Sequence, residues 1–185
     1  MDQFYTSTLI RDLLYQIEGQ PLRPDLEETP DRVVRALEEM LDGYNVDIPA
    51  LFKVSDGEGQ DQIVALRDIE TWSICQHHLL PFRCRIHVAY LPIDKVIGAS
   101  KMERLCHAYA HRLQLQERIA KQIAETLMEN LKPQGVAVVI HGEHLCMRCR
   151  GVKSSTSQLV NSVMFGAFRD ESTLRMEVLS LLGLR

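Results

Sequence analysis

Two short stretches hold residue types that can do chemistry together: Cys75-Gln76-His77-His78 and His144-Leu145-Cys146. Thiolate sulfur and imidazole nitrogen make up the donor set that zinc prefers. Cys75 and His78 stand three residues apart, so a single turn of chain can aim both at a common centre. His144 and Cys146 stand two apart, so an extended strand would project both from one face. Four donors could close a structural site. Three donors with an open position would suit catalysis instead, because that position can hold a water whose pKa the metal lowers to about 7. The spare histidines would then be free for proton transfer. The plain alternative is that these cysteines are small core residues, and neither cluster alone has zinc-finger or HExxH spacing.

Clusters so far apart in the chain need a scaffold to bring them together, and from Gln62 onward the periodicity is that of a sheet. Residues 63–74 and 84–91 are predicted strands, the second alternating Ile86, Val88 and Tyr90 with Arg85, His87 and Ala89. The first cluster therefore falls at a strand end and in the connection through Leu79-Leu80-Pro81-Phe82. Ser100-Lys101-Met102-Glu103 reads as a capping box opening a helix with Met102, Leu105, Tyr109 and Leu113 on its apolar side. A second helix is predicted over 116–131 through Ile119, Ile123, Leu127 and Leu131, ending before Pro133 and Gly135. The apolar run 136–140 predicts a buried strand that delivers the second cluster. A weaker strand is expected over 158–165, and Leu174, Met176 and Val178, alternating with Arg175 and Glu177, predict a last one. The order strand-strand-helix-helix-strand-strand is an α+β pattern: a mostly antiparallel sheet with two helices on one face.

Ahead of this, Leu9, Ile10, Leu13, Leu14 and Ile17 recur at helical spacing up to Gly19. After a proline-punctuated connector, Thr29-Pro30-Asp31 marks a helix start, with threonine as the cap. Val33, Val34, Leu37, Met40 and Leu41 supply its apolar stripe. The expected organisation is an N-terminal helical segment over 1–45 and a catalytic domain over 60–185, separated by a loop with Asp56-Gly57-Glu58-Gly59. A net charge of −4 argues against general binding to nucleic acid or membrane surfaces. No apolar run approaches the ~20 residues of a membrane span, and the opening residues MDQFYTSTLIRDLL lack the basic start and apolar block expected of a signal peptide. With an odd number of cysteines, that points to the reducing cytoplasm.

The blocks SICQHHLLPF, HVAYLP, VIGASK, RLQLQERIAKQIAETL, GVAVVI and HLCMRCRGV, in this order and at comparable separations, resemble the GTP cyclohydrolase I family. TPDRVVRALEEML and QIVALRDIE are similar to it as well, so the resemblance runs from about Leu9 to Leu182. It implies the T-fold (tunnelling fold), whose sheets join into barrels by oligomerisation. It also implies a homodecamer of two five-membered rings, with active sites at subunit boundaries. The implied reaction converts GTP and water to 7,8-dihydroneopterin triphosphate and formate.

By matching position, the resemblance makes Cys75, His78 and Cys146 zinc ligands, with His77 and His144 as proton donors. Ser100, Lys101, Arg104 and Arg150 match phosphate contacts, and Arg32 and Arg35 match basic positions supplied by a neighbouring subunit. Glu117 matches the guanine anchor, with Gln116 beside it. Cys84, Cys106 and Cys149 match no ligand and are expected to be buried thiols. Arg148 and Lys153 remain open between substrate and solvent. Two departures stand out. Gln76 occupies a place where the family usually has glutamate, which predicts slower turnover and a more acidic optimum. Leu159 and Asn161 stand where it alternates serine and threonine. These departures keep two other readings in view: a non-catalytic nucleotide- or pterin-binding paralogue, and a cyclohydrolase with altered product or substrate.

Overall fold

The computed structural model describes residues 1–52, 55–57 and 59–184, so Glu58 of the expected loop lies outside the described residues. The chain forms two compact units, Met1–Asp42 and Gly43–Arg185.

The first unit pairs helix α1 (Gln3–Glu18) with α2 (Thr29–Met40). Asp2 caps α1 by accepting the Tyr5 N–H, and Gly19 ends it with φ +89°, a left-handed conformation that glycine adopts without a Cβ clash. Ile10 and Leu14 are half-buried, whereas Leu9, Leu13 and Ile17 are exposed. Along α2, Pro30 and Val34 are buried. Thr29 is the first helical residue and not the cap; Glu28 takes that place without a side-chain capping bond. Ser7 donates to Asp31 at 2.6 Å and Gln3 to Glu38 at 2.8 Å, tying the two helices together.

The second unit opens with the short helix α3 (Ile48–Leu51) and β1 (Ser55–Asp56), which pairs with β4 (Lys95–Val96). Its body is a five-stranded sheet of β2 (Val64–Cys75), β3 (Pro81–Leu91), β5 (Leu113–Gln114), β6 (Gly135–His144) and β7 (Leu159–Gly166), in the order β5-β2-β3-β6-β7. Only the short β5 is parallel to its neighbour. Helices α4 (Ala99–Ala110) and α5 (Gln116–Leu131) connect the halves. Ile86, Val88 and Tyr90 pair with Ile140, Val138 and Val136. Because side chains alternate along a strand, these residues share one face and pack against Leu105, Ile119, Ile123 and Leu127. Ser100 and Glu103 form no capping box: Gly98 holds the N-cap, and its carbonyl accepts the Lys101 and Met102 N–H groups.

The intervening residues Ala89, Leu91, Ala137 and Val139 form a second core on the opposite face. It is covered by Phe168 of α7 (Ala167–Asp170) and by Val178 and Leu182, from α8 (Ser172–Leu181) and its C-cap. The expected last strand over Leu174–Val178 is thus a helix. Leu174, Val178 and Leu182 recur every fourth residue, which suits a helix as well as alternation suits a strand, and Met176 is exposed. Helices therefore cover parts of both sheet faces. The strand-strand-helix-helix-strand-strand core is that of a T-fold, with these C-terminal helices added. Among the described residues no helix is long and apolar enough to cross a membrane.

Candidate metal centre

Strand β2 ends at Cys75, which is 5% exposed. The chain then turns tightly: the Cys75 carbonyl accepts the His78 and Leu79 N–H groups at 3.3 and 2.9 Å, and Leu79 takes the left-handed φ of +53°. This turn brings His78 Nδ1 to 4.0 Å from Cys75 Sγ. From the other side, β6 ends at His144 and passes directly into α6 (Leu145–Arg148), where Cys146 lies in the first turn. His144 and Cys146 therefore do not share a strand face as their spacing predicted. The helical turn instead carries Cys146 back toward β2, and the donor atoms of Cys75, His78 and Cys146 all lie within 4.8 Å of one another.

The chemistry of this group suits a soft or borderline divalent cation. Burial pushes the Cys146 thiol up, the neighbouring Cys75 pushes it further, and Arg150 pulls it back. Beside a second thiol, the Cys146 thiol thus resists ionising. A dication between them reverses that balance, since coordinated thiols are deprotonated.

His144 lies beside the group, half-buried. Its ring stacks on Phe82, its cross-strand partner, with centroids 4.3 Å apart and planes 8° from parallel. Its Nε2 is 3.1 Å from Oε1 of Gln116, the first residue of α5 and only 1% exposed. The Gln116 amide nitrogen faces three acceptors: the carbonyls of Ile140 (3.0 Å) and Leu159 (2.9 Å) and Oδ1 of Asn161 (2.7 Å). A flipped amide would set its oxygen against those oxygens, so Oε1 must face the histidine and His144 must donate through Nε2. Burial lowers the His144 pKa, and the charge of Glu117 opposes the shift in part.

His77 is exposed, with its ring edge-on to His78 at 6.1 Å. Glu117 is exposed in the first turn of α5. Ser100, Lys101 and Arg104 occupy the first turns of α4, and Arg150 follows α6. Among the described residues, none of these four side chains has a hydrogen bond or ion pair. Arg148, by contrast, is paired with Glu143 at 2.9 Å. Arg32 and Arg35 lie on α2 of the first unit, where Arg32 bonds Glu28 at 2.6 Å. Cys84 and Cys106 are buried, and burial raises their thiol pKa values, Cys84 to about 12. Cys149 is exposed, contrary to expectation, because it caps the one-turn helix α6 at the surface.

Sequence reasoning missed Phe82 as the platform for His144, although its place in the 82-84-86 alternation could have marked it. It also missed what Asn161 does. That residue supplies one of the acceptors that orient Gln116.

The sequence profile of GTP cyclohydrolase I matches residues 6–183. The chain belongs to the GTP cyclohydrolase I family. It is 44% identical over 174 residues to GTP cyclohydrolase 1 of Coxiella burnetii (strain RSA 493 / Nine Mile phase I), covering 94% of this chain and 95% of that one. It is 44% identical over 178 residues to GTP cyclohydrolase 1 1 of Pseudomonas aeruginosa, covering 94% of each. With the Gloeobacter violaceus GTP cyclohydrolase 1 it shares 45% over 174 residues, 94% of this chain and 81% of that protein. Among solved structures it is similar to the archaeosine synthase QueF-Like in the apo form, with a TM-score of 0.47 and 17% identity over 56% of this chain and 93% of the other.

Proposed function

We propose that this chain is a zinc-dependent GTP cyclohydrolase, which opens the imidazole ring of guanine in GTP and yields 7,8-dihydroneopterin triphosphate and formate. The observation that carries this reading is the meeting of Cys75, His78 and Cys146 beside a histidine whose donor atom is fixed by Gln116, in a chain of this family. Cys75, His78 and Cys146 would hold zinc. Bound there, the ion supplies a Lewis acid that makes water nucleophilic near neutral pH.

The chain's own residues do the rest. With Nε2–H of His144 committed to Gln116, Nδ1 is the atom left to take up and release a proton. His77, exposed beside His78, is the second imidazole able to protonate ring nitrogen as the bonds to C8 break. Glu117 accepts from N1–H and the 2-amino group of guanine, a pair of donors that adenine lacks. Ser100, Lys101, Arg104 and Arg150 hold the triphosphate, and their freedom from internal partners supports that role. Gln116 serves the site by holding His144, since its amide is spent within the protein. Arg32 and Arg35 would complete the phosphate site from a neighbouring subunit of a homodecamer built as two rings of five. The enzyme would work in the cytoplasm, where its free cysteines stay reduced.

Incubation with GTP, followed by a formate assay and fluorescence of the oxidised pterin, tests the reading. Both products are expected. Binding without either product would indicate a non-catalytic paralogue, and formate without pterin, or a preference for another purine nucleotide, would indicate altered chemistry.

A further inference from the structure

A second set of unspent hydrogen-bond donors lies on the sheet face opposite α4 and α5. There β3 presents Arg83, Arg85 and His87 at alternate positions, and β6 presents Glu143 and His141 across from Arg83 and Arg85. Closed at one end by the chain at Gly183, they line a cavity of about 250 Å³.

The carboxylates nearby are already engaged. One oxygen of Glu70 accepts from both Arg83 (2.6 Å) and Arg85 (3.4 Å). Glu143 accepts from Gln158 and pairs with Arg148. Arg85 Nε also stands 3.9 Å from Asp68, yet each guanidinium has five N–H donors, so several donors of both forks stay unused. The imidazoles are short of partners too. His87 is 4% exposed, and the Asp68 N–H is directed at its Nδ1 (3.4 Å), which places the ring proton on Nε2. Among the described residues, Nε2 of His141 is buried with no partner. Two arginines backed by two histidines form a donor set suited to a tetrahedral oxyanion.

We propose that this cavity binds a small oxyanion of the phosphate class, gripped by Arg83 and Arg85 and backed by His87 and His141. The site is separate from the candidate metal centre and requires nothing of the GTP reading. The two are nonetheless neighbours in the chain: Arg83 follows Phe82 and Glu143 precedes His144, on the opposite face of the same two strands.

Calorimetric titration of the full chain with inorganic phosphate tests this, in a Lys101→Ala/Arg150→Ala background that disables the other phosphate contacts. Saturable binding is expected to persist there and to weaken roughly tenfold or more when Arg85→Gln is added. Arg83→Gln alone should also weaken it and serves as the second variant, with circular dichroism confirming that each protein is folded. Free phosphate binding more tightly than a nucleoside monophosphate assigns the site to the free ion; the reverse order assigns it to a phosphorylated metabolite. Binding abolished in the Lys101→Ala/Arg150→Ala background, or unchanged by both arginine substitutions, overturns the proposal.

Discussion

Arg118 donates from Nη1 to the side-chain oxygen of Gln76 at 2.8 Å. The bond ties the first turn of α5 to the turn that carries His77 and His78. The Gln76 backbone N–H is held as well, by the Gln114 carbonyl at 3.1 Å. Residue 76 thus acts as a strut between the metal-side turn and the helix that supplies Gln116 and Glu117. The expectation of an acidic optimum treats position 76 as an unpaired neighbour of His77, and the guanidinium of Arg118 removes that premise.

Gln76→Glu should therefore leave the pH optimum of turnover in place, because a carboxylate there would be neutralised by Arg118. The exchange should add at most an exposed ion pair, worth about 0.2–1 kcal/mol. A pH–rate profile and a melting curve for both proteins check this. An optimum that moves upward would return position 76 to a role in proton transfer.

Stability should fall on the acid side through two histidines. Burial lowers the pKa of both His87 and His144. For His87, Asp68 works against the shift, while His141, Arg85 and Arg67 reinforce it. A base with a folded pKa below its unfolded value of about 6.5 binds its proton more readily when unfolded. Its contribution is complete above about pH 6.5 and is lost as pH falls toward the folded pKa. Melting temperatures of the native chain and of His87→Leu, measured across that range, should show a shallower acid decline in the variant. Parallel curves would contradict the assignment.

The isolated protein should carry about one zinc per chain, and Cys146→Ala should lose it while keeping most of its secondary structure. Cys146 is only a partly buried neighbour of the core of Ile86, Val88, Ile119 and Ile123, whose members are themselves fully buried. Metal analysis paired with circular dichroism decides the matter. Full metal occupancy in the variant would remove Cys146 from the ligand set.

Glu117 and Lys101 should fail in different ways. Glu117→Gln replaces an acceptor with a partial donor against guanine, and a hydrogen-bonding group left unmatched once the base covers it costs about 1–3 kcal/mol, so kcat/KM should drop severely. Lys101→Ala should mainly raise KM, because phosphate contacts persist through the reaction. Steady-state kinetics on the two variants separates these outcomes. Equal and small effects would place the guanine pocket elsewhere.

Much of this arrangement is legible in the sequence because strong periodicity and donor chemistry are local properties. The helix over 116–131 is observed as Gln116–Leu131, and the alternation of Ile86, Val88 and Tyr90 marks the residues facing α4 and α5. The Cys75, His78 and Cys146 group is legible from residue type, yet the mode of approach is not. His144 and Cys146 are separated by a change from strand to helix that their spacing cannot reveal. The α8 segment misleads for a similar reason, since four-residue recurrence of Leu174, Val178 and Leu182 coexists with two-residue alternation. Cys149 shows the remaining limit: burial of a lone thiol depends on where a short turn surfaces, which its neighbours in sequence do not encode.

Gly142 has no functional group and an unremarkable place in β6, but a Cβ there would overlap the Gln116 side-chain oxygen and crowd the His144 ring. Any side chain at 142 would therefore dislodge the amide that orients His144. The vulnerability of the site to mutation thus reaches a position where inheritance of an empty space, and not of any reactive atom, is what descendants of this chain must preserve.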